Sequence, residues 1–281
     1  MCYTGLMMTP AASTEVYQTT VRNLPIYRIR PFDTYPNLQH AIFTRHGGIS
    51  RAHYRSLNLS ISVGDDRQAV DQNFETACRV VDIEPDQTVS CHLIHSAEVV
   101  MVTSTNRQRV MGKADGMITG DPGIYLAMRF GDCTPLIFFD PVRQAIGLTH
   151  AGWRGTMKNA GGATVRHMVT DLGCQPQNII AVVGPAIGPC CYEVGPDVMQ
   201  AAAQAFDEPE PLFNRRNGNP NRAHFNLWAA NQQQLTAAGI EQVIQSELCT
   251  ACRTDQFFSH RAEKGHTGRF GVIIGLKGGQ A

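Results

Sequence analysis

Three side chains able to bind a metal or attack a substrate stand at the ends of apolar runs: His95, Cys133 and His150. Cys133 follows the run 124–130 and His150 follows the run 145–149, and both runs are typical of buried strands bounded by turn residues. Functional side chains are often placed at such strand ends. Two imidazoles and a thiolate suit zinc and leave one coordination position for a reactant. These three residues, the His/Cys/His set, are therefore a candidate metal site.

The same residues allow two other interpretations. The three positions are far apart in the sequence and match no short zinc motif, and isolated cysteines and histidines are often core residues. A Cys–His pair at strand ends can also form a thiol hydrolase, with Cys133 as nucleophile and His150 as general base. Asp132, beside the cysteine, is a candidate acid/base or ligand-orienting residue, and equally a candidate turn cap.

Three arginines lie near glycines in turn-like sequence: Arg45, Arg154 and Arg269. A guanidinium exposed in such a turn can hold a phosphate through paired hydrogen bonds. Each can equally be a structural arginine that donates to loop carbonyls, because most side-chain hydrogen bonds go to the backbone or to water. We predict an anion site that uses these residues, with Arg45 also in a catalytic role.

The composition describes a globular chain with no strong overall charge. Its 281 residues are 43 % hydrophobic, and 24 basic residues balance 24 acidic ones. We therefore expect small-molecule partners and neither nucleic acid nor a membrane, since no apolar stretch approaches the ~20 residues of a span. The odd cysteine count of nine and the lack of a signal peptide favour reduced thiols and a cytoplasmic location. Oligomeric state is not set by the sequence.

Four of the cysteines form two pairs. Cys249-Thr-Ala-Cys252 has the CxxC spacing of redox and zinc motifs, but the sequence contains no second CxxC. Cys190 and Cys191 are adjacent and are expected to be core residues, while Tyr192 after them is a candidate pocket-lining, substrate-binding residue. Neither cysteine pair is included in the predicted site.

The elements that must position these residues mix without a regular βα alternation, which favours an α+β domain over a Rossmann or TIM architecture. We predict an irregular leader over 1–24, a single catalytic domain over 25–281 and a long surface loop over 207–223. Strands are predicted at 42–44, 89–94, 98–103, 124–130, 135–139, 145–149, 179–183, 243–247 and 270–276. Helices are predicted at 66–82, with an aspartate cap, and at 155–172, 195–206 and 226–238.

Several long motifs of the chain resemble those of one known family. They are Ala114-Asp-Gly116, Gly131-Asp-Cys-Thr-Pro135, His150-Ala-Gly-Trp-Arg-Gly155, Gly184-Pro-Ala-Ile-Gly-Pro-Cys-Cys-Tyr-Glu-Val194, Cys249-Thr-Ala-Cys252, Phe258-Ser-His-Arg261 and Thr267-Gly-Arg269. In this order, and over residues 42–276, the chain is similar to the YfiH family, also called the laccase-domain or multicopper polyphenol oxidase family.

The resemblance implies a single α+β domain with mixed β-sheets packed between helices. It also implies a zinc site of two histidines and one cysteine, which become His95, Cys133 and His150 here, with copper less expected. The implied activity is phosphorolysis of inosine, adenosine or methylthioadenosine to base and pentose 1-phosphate, with adenosine deamination as a side reaction. Phosphorolysis needs an anion site and a ribose clamp, and deamination needs an activated water that zinc can supply.

Three departures from the family's usual pattern bear on substrate preference. Leu93-Ile-His-Ser96 replaces Gln-Val-His-Gly, Phe130-Gly131 replaces Thr-Ala, and Asn73-Phe74 replaces Asn-Arg. Laccase activity is not expected, because copper oxidases bind their trinuclear site through several His-X-His pairs and this sequence contains none. Editing of peptidoglycan precursors, with which some relatives are associated, remains open as a different class of function.

Overall fold

The apolar runs of the chain become strands, and the amphipathic stretches between them become helices. The computed structural model describes residues 15–215 and 219–278. The strands are β1 Val16–Val21, β2 Leu24–Ile29, β3 Leu38–Phe43, β4 Thr88–His92, β5 Val99–Met101, β6 Val110–Lys113, β7 Gly116–Thr119, β8 Tyr125–Phe130, β9 Thr134–Asp140, β10 Ala145–Ala151, β11 Ile180–Val183, β12 Glu193–Val194, β13 Phe213–Asn214, β14 Ala223–Phe225, β15 Gln242–Gln245 and β16 Phe270–Leu276. The α-helices are α1 Arg30–Asp33, α2 Arg67–Val80, α3 Trp153–Met157, α4 Ala160–Leu172, α5 Pro196–Ala205 and α6 Leu227–Ala237.

Two large sheets organise these elements. The first has the strand order β1-β2-β3-β16-β8-β4-β6, the second β15-β11-β9-β10-β7-β5, and a small third sheet has the order β12-β14-β13. Both large sheets are mixed: β4 pairs in parallel with β8 and β6, β11 with β15, and β5 with β7. The other pairs in these two sheets are antiparallel.

Strand β9 shows how the layers are arranged, because all of its residues are buried. Ile137 and Phe139 belong to the core between the two sheets, whereas Leu136 and Phe138 belong to the core beneath α4 and α6. The division follows from the two-residue period of a strand, which sends alternate side chains to opposite faces. Complete burial of each such side chain stabilises the fold by about 1.5–3 kcal/mol relative to exposure.

Helix α2 covers the outer face of the first sheet. Its predicted cap is confirmed, since the Asp66 carboxylate accepts a hydrogen bond from the Ala69 N–H at 2.9 Å. Phe74 packs with Phe43 of β3 and Ala127 of β8. The layers therefore run helix, sheet, sheet, helices, which confirms the α+β fold with mixed sheets between helices. No helix in the described ranges is long and apolar enough to cross a membrane.

The prediction of an irregular leader over residues 1–24 is wrong from residue 16 onward, where β1 begins. Val16–Val21 and Leu24–Ile29 form the hairpin at the edge of the first sheet, with Val21 opposite Leu24. Its turn residues Arg22 and Asn23 both have positive φ, which matches the right-handed twist of the strands in a two-residue hairpin. The prediction for residues 1–14 lies outside the described residues.

Two further predictions are corrected. The helix predicted over 155–172 is broken into α3 and α4, because Asn159 adopts a left-handed conformation with φ 57° and caps α4 by accepting from the Gly162 N–H at 3.0 Å. The loop predicted over 207–223 contains β13, which pairs with β14, and the first residue of β14, Ala223, which pairs with Val194 of β12. Residues 216–218 of that prediction lie outside the described residues.

Candidate active site

The fold brings the His/Cys/His set together from three separate segments. Cys133 lies in the corner where the chain crosses from β8 of the first sheet to β9 of the second, His150 lies in β10, and His95 lies in the turn after β4. The ligand atoms of the three residues all lie within 4.8 Å of one another. His150 stands opposite Pro135 in the pairing of β9 with β10, so the register places it beside the corner that bears the thiol.

Asp115, directly before β7, holds both histidines. Its carboxylate is fully buried and accepts from the N–H groups of Ile94 at 3.2 Å, His95 at 3.0 Å and Ser96 at 2.7 Å. One carboxylate oxygen also lies 3.1 Å from Nδ1 of His150. A carboxylate on one ring nitrogen fixes the orientation and tautomer of a histidine and leaves the other nitrogen for a metal. Asp115 therefore positions the set without belonging to it.

The charges of the set are strongly coupled. Burial alone would raise the pKa of Asp115, but hydrogen bonds from His150 and Ser96 hold it at about 2. Burial also opposes ionisation of the Cys133 thiol, yet the charge of His150 and hydrogen bonds from His150 and His95 lower its pKa to about 6. The burial that would lower the pKa of His150 is outweighed by Cys133 and Asp115, which raise it to about 9. Without metal, Cys133 and His150 form a thiolate–imidazolium pair.

The donor set fits one metal ion. A thiolate and two imidazole nitrogens are ligands that zinc accepts in sites with an open position. Gly152 leaves room for them, since a Cβ there would lie 2.7 Å from Sγ of Cys133 and 3.3 Å from Cδ2 of His95. All three ligands line one cavity, as a site that takes a reactant requires.

This cavity is large and cationic. Its volume is about 810 Å³, and four arginines line it: Arg67, Arg109, Arg129 and Arg269. Asp71 is the carboxylate among its described lining residues. Arg129 remains a cation near neutral pH although burial, helped by the nearby Arg109, lowers its pKa to about 10. The excess of positive charge favours an anionic ligand.

Arg129 is fixed in the cavity wall. Its Nε donates to the Leu59 carbonyl at 3.0 Å, and its Nη1 donates to Oγ of Ser90 at 2.6 Å. The guanidinium also lies 4.9 Å from the centre of the Phe74 ring. These contacts orient a charged group whose local sequence, inside strand β8, gave no sign of a binding role.

Asp132 fastens the corner that bears Cys133 to two loops. One carboxylate oxygen accepts from Oγ1 of Thr250 at 2.7 Å, and the other accepts from the Arg261 N–H at 2.6 Å. Burial raises the pKa of Asp132, and these hydrogen bonds oppose the rise. Of the roles that the sequence left open, these contacts favour an orienting one, and acid/base chemistry by Asp132 stays a prediction.

Arg269 is the predicted arginine that reaches the cavity. Its Nη1 donates to the carbonyls of Gly268 at 2.8 Å and Thr267 at 3.3 Å. The side chain crosses the backbone of Gly131, where a Cβ would lie 2.8 Å from Cδ of the arginine. Burial lowers the pKa of Arg269, while the nearby Cys133 opposes that shift. Arg269 and Cys133 therefore line the same cavity.

Arg154 and Tyr192 are not among the described residues that line the cavity. Arg154 is exposed on α3, and its guanidinium lies 4.3 Å from the centre of the Trp153 ring. Tyr192 is buried, and Arg261 lies 5.2 Å from the centre of its ring. The substrate-binding roles predicted for these two residues stay predictions that the cavity does not support.

Arg45 has structural partners. Its Nε donates to the Arg55 carbonyl at 3.0 Å, and its Nη1 donates to the Thr254 carbonyl at 2.7 Å and the Glu263 carboxylate at 3.1 Å. It is not among the described lining residues of the cavity. These contacts favour the structural interpretation that the sequence left open, so Arg45 is not proposed as a phosphate ligand or catalytic group.

The variant Arg45→Gln tests this reassignment. We expect it to lower the free energy of unfolding by about 1.5–3 kcal/mol, because hydrogen bonds to a charged group are lost and Glu263 is left without its cation. Chemical denaturation measures the loss, and the affinity of the protein for inorganic phosphate should stay unchanged. A weakened affinity for phosphate with unchanged stability would restore the anion-binding role.

Fold and site together define an α+β protein with two face-to-face sheets and a His/Cys/His set at one cationic cavity. The chain belongs to the family described as multi-copper polyphenol oxidoreductase laccase, whose model matches residues 39–277.

Its relatives include proteins named as purine nucleoside phosphorylases. The protein YlmD of Geobacillus stearothermophilus, with this name, is 36 % identical over 243 residues, which are 83 % of this chain and 88 % of that protein. The purine nucleoside phosphorylase of Deinococcus radiodurans is 35 % identical and covers 92 % of this chain and 95 % of its own length.

Solved structures have the same fold. The crystal structure of YlmD from Geobacillus stearothermophilus has a TM-score of 0.84 at 34 % identity, and that of the hypothetical protein YfiH from Bacillus licheniformis has 0.85 at 32 %. Each match covers 90 % of this chain and 96 % of the other.

The family's copper-based description is not matched by the donors of this chain. Within the described residues, groups of three or more metal-binding side chains occur twice: the His/Cys/His set, and the cluster Cys190, Cys191, Cys249 and Cys252. Neither group offers the several histidines of a trinuclear copper centre. The donors instead suit single ions.

Sequence reasoning missed four residues of this region: Asp115, Arg67, Arg109 and Arg129. Asp115 had a usable signal, since it lies between two small residues directly before a buried strand and within a motif shared with the family. The three arginines carry no such signal, because they do not lie in glycine-flanked turns: Arg67 lies in α2, Arg109 directly before β6 and Arg129 within β8.

Proposed function

We propose that this protein is a zinc-dependent purine nucleoside phosphorylase that takes inosine, adenosine or methylthioadenosine and phosphate. Adenosine deamination is the proposed side reaction. The observation that supports this most is that the His/Cys/His set and four arginines line the same cavity of about 810 Å³. That volume is within the usual range of small-molecule sites, and the names of the relatives point to the same reaction.

The arginines supply the anion site that phosphorolysis needs. A phosphate oxygen attacks C1′ of the ribose, the C1′–N9 bond breaks, and its electron pair leaves with the purine, which takes up a proton. Arg269 and Cys133 line the same cavity and Arg129 is fixed in its wall, so a phosphate held by the two arginines would be oriented near the metal ligands. Bidentate guanidinium contacts suit this task better than point charges.

Apolar residues of the cavity suit the base. Val70 and Phe74 of α2 and Leu59 and Ile61 of the preceding loop lie in its lining, and such surfaces bind flat heterocycles by burying them. Zinc held by the His/Cys/His set would supply Lewis-acid chemistry, either to polarise a substrate oxygen or to lower the pKa of water for deamination.

The variant Arg269→Gln tests the anion site. Losing a charged hydrogen-bond donor is worth about 1.5–3 kcal/mol, so we expect the apparent KM for phosphate to rise about 10- to 100-fold. The measurement is initial rates against phosphate concentration at saturating nucleoside. Arg166→Gln, on the exposed surface of α4, is the matched control and should leave this KM unchanged. An equal response of both variants would contradict the assignment.

A cysteine hydrolase is the second candidate. Asp115, His150 and Cys133 form a chain of contacts. The Asp115 carboxylate lies 3.1 Å from Nδ1 of His150. His150 in turn lowers the pKa of the Cys133 thiol to about 6, although burial opposes this shift. An acid that orients a histidine beside a thiolate is the arrangement of thiol acyl-transfer enzymes.

Alkylation separates the two candidates. We expect Cys133 to resist iodoacetamide in the zinc-loaded protein, because a metal-bound thiolate is a poor nucleophile, and to react after chelation. In the chelated protein the rate should rise with pH and reach half its maximum near pH 6, following the thiolate fraction. Peptide mass spectrometry measures both. Rapid alkylation with zinc in place, or full activity after chelation, would favour the hydrolase.

A further inference from the structure

We infer that Cys190, Cys191, Cys249 and Cys252 form a second zinc site, closed and structural, outside the cavity. The vicinal pair follows the 184–189 loop, and the CxxC pair lies in the loop after β15. None of the four is among the described lining residues of the cavity. The site is therefore separate from the His/Cys/His set.

The four sulfurs are spaced for one tetrahedral ion. All four Sγ atoms lie within 4.8 Å of one another, and Sγ of Cys252 lies 3.3 Å from Sγ of both Cys190 and Cys191. Zinc–sulfur bonds of about 2.3 Å in a tetrahedron place the sulfurs about 3.8 Å apart, within this range.

The spacing selects a single ion over an iron–sulfur cluster. In such clusters the four cysteines are divided among two or four irons, which spreads their sulfurs beyond one coordination sphere. Four thiolates complete the shell of zinc and leave no position for a reactant, which is the pattern of structural sites. Cys190 and Cys252 are exposed, so an ion has a path into the cluster.

Backbone contacts hold the two loops in register before any metal binds. Ala186 and Cys249 form a parallel β-bridge, and the Gly188 N–H donates to Sγ of Cys249 at 3.2 Å. A Cβ on Gly188 would lie 2.6 Å from the ring of Trp228, so glycine is required for this approach. The chain therefore wraps the vicinal cysteines around the CxxC loop.

The same loops support the corner that bears Cys133. The Ile187 N–H donates to the backbone carbonyl of Asp132 at 3.0 Å, and Oγ1 of Thr250 donates to the side-chain carboxylate of Asp132 at 2.7 Å. A zinc ion that joins the two loops would fix both contacts at once. The second site thus positions the first without touching its ligands.

The test measures zinc in the Cys133→Ala protein, whose first site is disabled, so the result does not depend on the proposed reaction. We expect about one zinc per chain to remain, and Cys252→Ser in this background to reduce it to near zero. Cys78→Ala, a buried cysteine of α2, is the control and should leave zinc unchanged. Cobalt in place of zinc should give the strong sulfur-to-cobalt absorption of a four-thiolate site.

Cys252 is exposed, so its serine variant should fold, and circular dichroism checks that it does. Folded Cys133→Ala protein that retains no zinc would overturn the inference. So would zinc that is insensitive to Cys252→Ser, a different metal bound by the four thiols, or a Cys249–Cys252 disulfide in protein prepared anaerobically with zinc present.

Discussion

Cys133→Ala is expected to lower kcat/KM for nucleoside phosphorolysis by about 1000-fold or more, since a catalytic metal supplies several kcal/mol of transition-state stabilisation. Alanine removes the thiolate, and the two remaining imidazoles form an incomplete shell that holds zinc weakly. The backbone should be undisturbed, because β9 and β10 keep their pairing on the C-terminal side of the corner. Steady-state kinetics and zinc analysis of the variant measure the two effects together.

The control for this variant is Cys78→Ala, which makes the same chemical change at a buried position of α2. It should lose some stability through a small cavity and keep its activity. Cys133→Ala protein that binds as much zinc as the parent protein and also keeps full activity would refute the assignment of Cys133 as a ligand.

Asp115→Asn is expected to lower the zinc affinity of the His/Cys/His set and the activity by about 10- to 100-fold each, although Asp115 is not a ligand. The carboxylate accepts from the loop that bears His95 and lies against His150, so both histidines depend on it. Asparagine keeps the shape of the side chain but loses its negative charge. Its NH2 group would face the buried N–H groups that donate to the carboxylate of Asp115. Each donor left unsatisfied costs about 1–3 kcal/mol.

Competition with a zinc chelator measures the affinity, and the kinetics are repeated at saturating zinc. The control is Asp121→Asn, because Asp121 is a half-buried acidic residue just after β7 whose carboxylate accepts from the Ser104 N–H at 2.7 Å. If Asp115→Asn, Asp121→Asn and the parent protein all bind zinc with the same affinity, the positioning role of Asp115 is wrong.

The fold is largely predictable because its central strands, such as β9, β10 and β16, are mostly apolar runs. The strand predicted over 270–276 matches β16 in full, and Asp66 caps α2 as expected. The hairpin of β1 and β2 was missed because its strands are half polar at the edge of a sheet, and its turn uses Arg22 and Asn23 in place of glycine.

The site was predictable as residue types and less so as contacts. His95, Cys133 and His150 are predicted because they follow apolar runs and match motifs of the family, and they converge because the chain crosses between sheets at the Cys133 corner. The direction of a long side chain depends on its neighbours in the folded structure. Arg45, beside a glycine-rich turn, pairs with Glu263, while Arg129 lines the cavity from within a strand.

The cysteine cluster was hidden for a related reason. The sequence shows one CxxC and a vicinal pair, which match no four-cysteine motif, and Cys190 and Cys191 were predicted to be core residues. Cys190 is instead exposed and Cys191 half-buried. Contacts between distant segments place the two pairs together: the bridge between Ala186 and Cys249, and the hydrogen bond from the Gly188 N–H to Sγ of Cys249.

The most direct measurement for the whole account is product identification from inosine and adenosine with the zinc-loaded protein, in the presence and absence of phosphate. Mass spectrometry should find free base and ribose 1-phosphate only when phosphate is present, at a rate that saturates with phosphate and is lost in Cys133→Ala. Free ribose formed at the same rate without phosphate, or cleavage that persists in Cys133→Ala, would contradict a zinc-dependent phosphorylase.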